Sequence, residues 1–241
     1  MERHDIPKVL LRYWIAILGL VICFVVEWEI LDRLTKEAYE FRYQMDLEEF
    51  RQNPTDYFPL HNRKEAYNDF FIEQLDAVMK EIRCFPVEKS YIQGVSYVDS
   101  WYGERTFGGD RHHEGTDIMS LSNVRGELPV VSMTDGIVKN MGWLTLGGWR
   151  IGIESESGIY YYYAHLDSYA GNLKKGDTVY AGELLGFMGD SGYGEEGTTG
   201  MFDVHLHVGI YFYNASGQEI SMNPYPFLQN IQQRTSMPSD R

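Results

Sequence analysis

A chain of 241 residues with 44% hydrophobic and 15% aromatic content has room for one sizeable domain plus additions, which excludes a wholly disordered polymer. Its 35 acidic residues against 21 basic ones give a formal charge of -14, and phosphate binding needs a basic face, so nucleic acid is excluded as a partner. Two cysteines, Cys23 and Cys84, are too few for a disulfide framework or an all-thiolate zinc site, leaving histidine and carboxylate as the available metal ligands.

Arg3, Lys8 and Arg12 precede an uncharged apolar run from Tyr13 to Val26, and Glu27, Glu29 and Asp32 follow it. Val9 to Ile30 reaches the ~20 residues of a membrane span if Arg12 and Glu27 lie near the interfaces, with Trp14 and Trp28 as anchors. The charge order predicts residues 1–8 as a cytoplasmic tail, 9–30 as a single-pass anchor, and the remainder outside the cytoplasm. A cleaved signal peptide is the alternative, although no small-x-small cleavage site follows Val26.

Leu31, Leu34, Ala38, Phe41 and Met45 recur at three-four spacing and predict a helix that continues out of the membrane. Asn53-Pro54 and Phe58-Pro59 interrupt it. A second helix is expected from Asn62, with Glu65 as capping partner and Ala66, Phe70, Leu75, Val78, Met79 and Ile82 along one side. Residues 31–85 therefore read as a helical stalk. Two heptads fall short of a coiled coil, so homodimerisation through the stalk stays an open expectation.

After Pro86 the pattern changes to short β-type runs separated by glycine turns, with no further long helical period, so residues 86–230 read as a mainly β, antiparallel domain and 231–241 as a tail. Short strands are expected around Thr134-Asp135-Gly136, and Arg150 to His165 reads as a hairpin turning at Glu156-Ser157-Gly158. Within the domain, His113-Glu114-Gly115-Thr116-Asp117 sets an imidazole and a carboxylate four residues apart. In a straight strand they would lie roughly 13 Å apart. The chain must bend, and Gly115, free to adopt positive φ, is the expected place. Such a pair suits zinc.

From Asp203 to Tyr213 the alternation is clear: Val204, Leu206, Val208, Ile210 and Phe212 share one face, and His205, His207, Gly209, Tyr211 and Tyr213 the other. The two imidazoles are then about 7 Å apart and point into the same space. His165 closes the run Ile159 to Leu166; taken alone it reads as an interfacial histidine satisfied in a tyrosine-rich sheet.

The H-x-G-x-D at His113, the aromatic-x-H-L at His165, the K-G-D-x-V-x-x-G-x-x-x-G run from Lys175 and the H-L-H at His205, in this order, closely resemble the lysostaphin/LytM-type (M23) zinc metallopeptidases that cut bacterial cell-wall peptides. The resemblance covers roughly residues 90 to 230. It implies a LytM-like sheet or sandwich of the duplicated hybrid motif type, with peptidoglycan peptide cross-links as substrate. It also implies that one zinc ion is bound by His113, Asp117 and His207, with His165 and His205 beside its water as catalytic groups. His205 is the expected general base, and His165 its helper or a donor to the developing oxyanion. The rival expectation is a non-catalytic LytM-type scaffold or activator of other cell-wall enzymes. His112 is expected at the surface. The Gly189 to Gly194 loop is expected as a groove wall, and Trp101, Tyr102 and Trp143 are candidates for lining it.

Overall fold

A computed structural model of the chain describes residues 8–53, 56–58, 69–105 and 109–236. It divides into two compact units, Met1–Glu49 and Phe50–Arg241. The first is carried by α1 (Lys8–Gln52), in which Tyr13–Ala38 forms a stretch long and apolar enough to cross a membrane. The described apolar side chains of Tyr13–Ala38 are exposed, Leu20 by 72%.

The second unit is a mostly antiparallel sheet. Its strands are β1 (Val95–Tyr97), β2 (Glu104–Arg105), β3 (Arg111–His112), β4 (Thr116–Ser120), β5 (Pro129–Val131) and β6 (Gly136–Leu144). They continue with β7 (Gly148–Glu154), β8 (Tyr160–Tyr169), β9 (Thr178–Val179), β10 (Leu184–Met188), β11 (His205–Tyr213) and β12 (Glu219–Met222). The main sheet runs β1-β4-β11-β8-β7-β6-β9, with β10 bridging β5 and β8, and β12 extending the β4 side of β11. β2 and β3 form a separate ribbon. The hairpin expected between Arg150 and His165 is β7 and β8, turning through Gly158 at φ +80°.

β11 behaves as its alternation predicts. Val204, Leu206, Val208, Ile210 and Phe212 are each at most 2% exposed, while the histidine face remains partly accessible. That buried face meets α2 (Asp69–Glu81): Phe71 packs edge-on against Phe212 with centroids 5.7 Å apart, and Phe58 joins them at 4.8 Å from Phe71. Glu81 at the end of α2 accepts hydrogen bonds from the Tyr161 hydroxyl and the Ser157 amide, both at 3.2 Å.

These contacts correct the expected stalk. Residues 69–85 belong with the sheet because α2 has one apolar face, and the back of β11 is what covers it. The expected helix start at Asn62, the Glu65 cap and Ala66 lie outside the described residues. A second correction is α3 (Tyr225–Ser236), which occupies much of what was expected to be a tail and buries Phe227, Leu228 and Ile231. Its start was legible: the Asn223 side chain accepts the Tyr225 amide at 3.0 Å, and Pro224 follows it, a capping residue with proline at the first turn.

Phe212 joins α2 to the strand that carries two site histidines, so Phe212→Ala is expected to cost about 3–5 kcal/mol by leaving a cavity among Phe58, Phe70 and Phe71. Chemical denaturation of the variant against the parent measures it, and a loss under 1 kcal/mol would show that the seam is not part of the core.

Candidate metal centre

Strand register places two donors. Asp117 on β4 lies directly opposite His207 on β11. Opposed residues hold their Cβ atoms about 4.5–5.5 Å apart on the same face, so their side chains meet without distortion. The third donor, His113, arrives on the extended residues before β4. Its amide donates to the Gly103 carbonyl and its carbonyl accepts from the Tyr102 amide, both at 2.8 Å, which fixes its backbone.

Gly115 lies between His113 and Asp117, but not for the reason the sequence suggested. It is not among the residues at positive φ. A Cβ there would sit 2.5 Å from His207 Cε1 and 2.5 Å from the Val208 carbonyl oxygen. The glycine is required because the His207 ring lies close against the bare backbone at the bend.

The donors converge. His113 Nε2, Asp117 Oδ1 and His207 Nδ1 form a triangle with all three edges 3.0 Å. Zinc bonds of about 2.0–2.1 Å at tetrahedral angles put neighbouring donor atoms roughly 3.3 Å apart, so the triangle suits one face of such a site. The donor chemistry agrees. His113 Nδ1 lies 3.0 Å from the Ser100 carbonyl, an acceptor, so Nδ1 carries the proton and Nε2 turns its lone pair inward. Acceptor atoms packed this closely in a buried site need a positive charge among them. Burial alone would raise the Asp117 carboxyl, but the His113, His207 and His205 side chains around it outweigh that and hold the group well below the usual carboxylate range. Burial lowers the His207 imidazole, partly offset by Asp117. Both effects keep the ligands in their metal-binding protonation states at neutral pH.

Two further histidines face the triangle. His205 shares the His207 face of β11, and its Nε2 lies 3.8 Å from Asp117 Oδ1. Its Nδ1 donates to the Asp203 carbonyl at 2.7 Å. His165 reaches the site through a bulge. Between the pairs Trp149↔Leu166 and Ile151↔Tyr163, β8 carries one residue more than β7, and His165 takes φ +62°. Without that extra residue the alternation of β8 would send His165 to the face opposite Ala164. Its Nδ1 donates to the Ser191 carbonyl at 2.8 Å, and its ring centroid is 4.7 Å from that of His205. Burial, reinforced by His205 and His207, pulls the His165 imidazole from 6.5 down to about 3.

All five residues named from the sequence thus line one hollow of about 150 Å³. Sequence reasoning missed Arg105, whose Nη2 is 2.7 Å from Asp117 Oδ2. The guanidinium occupies the second carboxylate oxygen and turns Oδ1 to the histidines. No motif marks Arg105; only its position on the β2 and β3 ribbon beside His113 signals it. Tyr193, from the expected wall loop, lines the hollow and accepts from Arg111 Nη2 at 3.2 Å. Trp101, Tyr102 and Trp143 do not line it; Tyr102 stacks on the exposed His112 with centroids 4.2 Å apart.

Comparison with known proteins agrees with this geometry. The model of Peptidase family M23 matches residues 111–224. The L-Ala--D-Glu endopeptidase of Bacillus subtilis (strain 168) is 44% identical over 144 residues, 60% of this chain and 41% of that protein. Glycyl-glycine endopeptidase ALE-1 of Staphylococcus capitis is 32% identical over 104 residues, 42% of this chain and 26% of that protein. The chain thus spans less than half the length of these curated relatives. A crystallised Ruminococcus gnavus ATCC 29149 protein, named as a glycyl-glycine endopeptidase lytM, is 49% identical with a TM-score of 0.62, covering 73% of each chain.

Two outcomes follow from the packing. Gly115→Ala is expected to displace the His207 ring and weaken any metal binding at this triangle at least about tenfold, read with added zinc by competition with a chromophoric chelator; unchanged affinity would show that the close approach is dispensable. Between pH 6.5 and about 3 the unfolded chain binds a proton at His165 that the folded chain refuses, so the metal-free protein loses stability as pH falls through that window. His165→Asn should flatten this part of the profile of melting temperature against pH, and an unaltered slope would contradict the burial argument.

Proposed function

The chain belongs to peptidase family M23, whose members here are peptide-bond hydrolases, and on that premise we propose that it is a zinc endopeptidase cutting the peptide portion of peptidoglycan outside the cytoplasm. The observation that carries this reading is the 3.0 Å triangle of His113, Asp117 and His207 with two more imidazoles turned towards it. Such a constellation concentrates desolvated ligands at a cost to stability, which supports a catalytic reading over a scaffold.

In this reading His113, Asp117 and His207 hold the ion. Zinc supplies Lewis acidity at a scissile carbonyl and makes a bound water acidic near neutral pH. The chain's own groups manage the protons. The main-chain carbonyls of Asp203 and Ser191 take the Nδ1 protons of His205 and His165, so each presents an Nε2 lone pair to the hollow. His205, the more accessible of the two, is the general base, receiving a proton at Nε2 and returning it to the leaving amine. His165 stays neutral and accepts a hydrogen bond at Nε2, orienting the attacking water; this tautomer does not suit it as an oxyanion donor. Arg105 keeps the Asp117 carboxylate in its binding orientation, and Tyr193 with Arg111 walls the substrate side.

The apolar helix Tyr13–Ala38 supports attachment of the chain to the cell membrane, with the hydrolase facing the wall. The alternative of a removable signal is separable by sizing the exported protein. The similar proteins are named for both L-Ala--D-Glu and glycyl-glycine bonds, so the scissile bond is read from the products released.

His207→Ala is expected to lose zinc and wall hydrolysis together, whereas His205→Ala keeps zinc and loses about 100-fold or more in turnover. Metal analysis paired with mass spectrometry of muropeptides released from purified walls reads both. If both variants retain stoichiometric zinc and cleave as the parent does, the assigned roles are wrong.

A further inference from the structure

The face of the sheet that carries the two β11 histidines does not end at the metal centre. Four residues beyond His207, about 13 Å at roughly 3.3 Å per residue, Tyr211 begins a second hollow of about 370 Å³. Tyr162 lines both hollows, so they are neighbours on this face. The floor is aromatic, formed by Tyr160, Tyr162 and Tyr211. Glycines allow the rings to lie low: a Cβ at Gly152 would overlap Tyr160, and one at Gly209 would overlap Tyr211. The Tyr211 hydroxyl is tied to the Glu114 carbonyl at 2.8 Å, which holds its ring in place. Tyr213 stands at the edge, 57% exposed.

Arg150 supplies the observation that points to a ligand. It lines this hollow, and its Nε and Nη1 are buried with no hydrogen-bond partner among the described residues. A buried donor without an acceptor is costly, and a guanidinium can only donate. Two carboxylates of the rim are engaged elsewhere: Glu154 pairs with Lys139 at 2.8 Å, and Glu219 accepts from the Tyr213 hydroxyl at 2.8 Å. What the guanidinium lacks is an acceptor oxygen.

The rim indicates what kind. Glu114, Glu154 and Glu219 outnumber Arg150 and Lys139, and the chain as a whole is at -14, so an anion would approach against the field. A neutral polyhydroxylated ring meets no such opposition. Its oxygens accept from Arg150, its hydroxyls donate to the rim carboxylates, and its C–H faces lie on the tyrosine rings. The volume falls within the roughly 300–1,000 Å³ of small-molecule sites.

We infer that this hollow is a glycan subsite, binding an N-acetylated sugar of the polymer whose peptide lies in the metal groove. The choice of sugar rests on the cell-wall reading above. The spacing suits a bond near the attachment of peptide to glycan, because about 13 Å spans only a few residues of extended chain. The subsite would make the hydrolase prefer stems still carrying their sugar over free peptides.

The test separates this inference from the function it extends. Calorimetric titration of the full, metal-free chain in detergent micelles with chitotetraose, a peptide-free oligomer of N-acetylglucosamine, is expected to show saturable binding. Tyr213→Ala and Arg150→Met should each weaken it at least about tenfold. The exposed Tyr213 serves as the variant least able to disturb folding, which circular dichroism checks in both. No binding, binding untouched by both variants, or occupation instead by a glutamate-rich peptide would overturn the glycan subsite. Wall hydrolysis is scored separately. Hydrolysis without sugar binding sinks this inference alone, and sugar binding without hydrolysis sinks only the peptidase reading.

Discussion

One strand pairing governs the rest: the antiparallel register between β4 and β11 that sets Asp117 opposite His207. A slip of one residue would carry every side chain of β11 to the other face, replacing the histidines with leucine and valine. The register is held from behind by apolar burial, with Leu206, Val208, Ile210 and Phe212 closed into the core and α2 packed on Phe212. The metal centre is thus the front of a strand whose back is the hydrophobic core. Function and stability share one element, and the glycines at 115, 152 and 209 let rings lie on that sheet where any Cβ would prevent it.

Main-chain carbonyls then determine the chemistry of the imidazoles. Ser100, Ser191 and Asp203 each accept from an Nδ1, turning the Nε2 atoms of His113, His165 and His205 towards one space. His207 is the exception and presents Nδ1. Backbone acceptors do not titrate, so these orienting bonds do not depend on the charge of a side-chain partner. Arg105 gives Asp117 comparable order by occupying Oδ2. The ligands are oriented by partners that are themselves held in secondary structure, which is how a metal site gains both affinity and shape.

Much of this was legible in the sequence because it is local. Alternation over Asp203 to Tyr213 is a two-residue period, and H-x-G-x-D and H-L-H are short motifs whose spacing survives in the structure. What was illegible depends on partners distant in the chain. The bulge that turns His165 into the hollow shows only when β8 is laid beside β7. Gly115 was rightly marked as special but for its φ, whereas the constraint is His207, 92 positions away. The docking of α2 needed the back of β11, and Arg105 needed Asp117 to give it meaning. The α3 helix has a capped start at Asn223 and Pro224, but its short apolar set of Phe227, Leu228 and Ile231 gains meaning only from the core that buries it.

The central claim is that Asp117 and His207, paired by strand register, form with His113 one zinc site with a vacancy for solvent. X-ray absorption at the zinc edge of the purified, zinc-loaded chain addresses it directly, since imidazole nitrogens and carboxylate or water oxygens scatter differently from sulfur and at known distances. The account predicts a single zinc per chain with two imidazoles and light oxygen scatterers at about 2.0–2.1 Å. Sulfur in the shell, or zinc that washes out at substoichiometric levels, would contradict it.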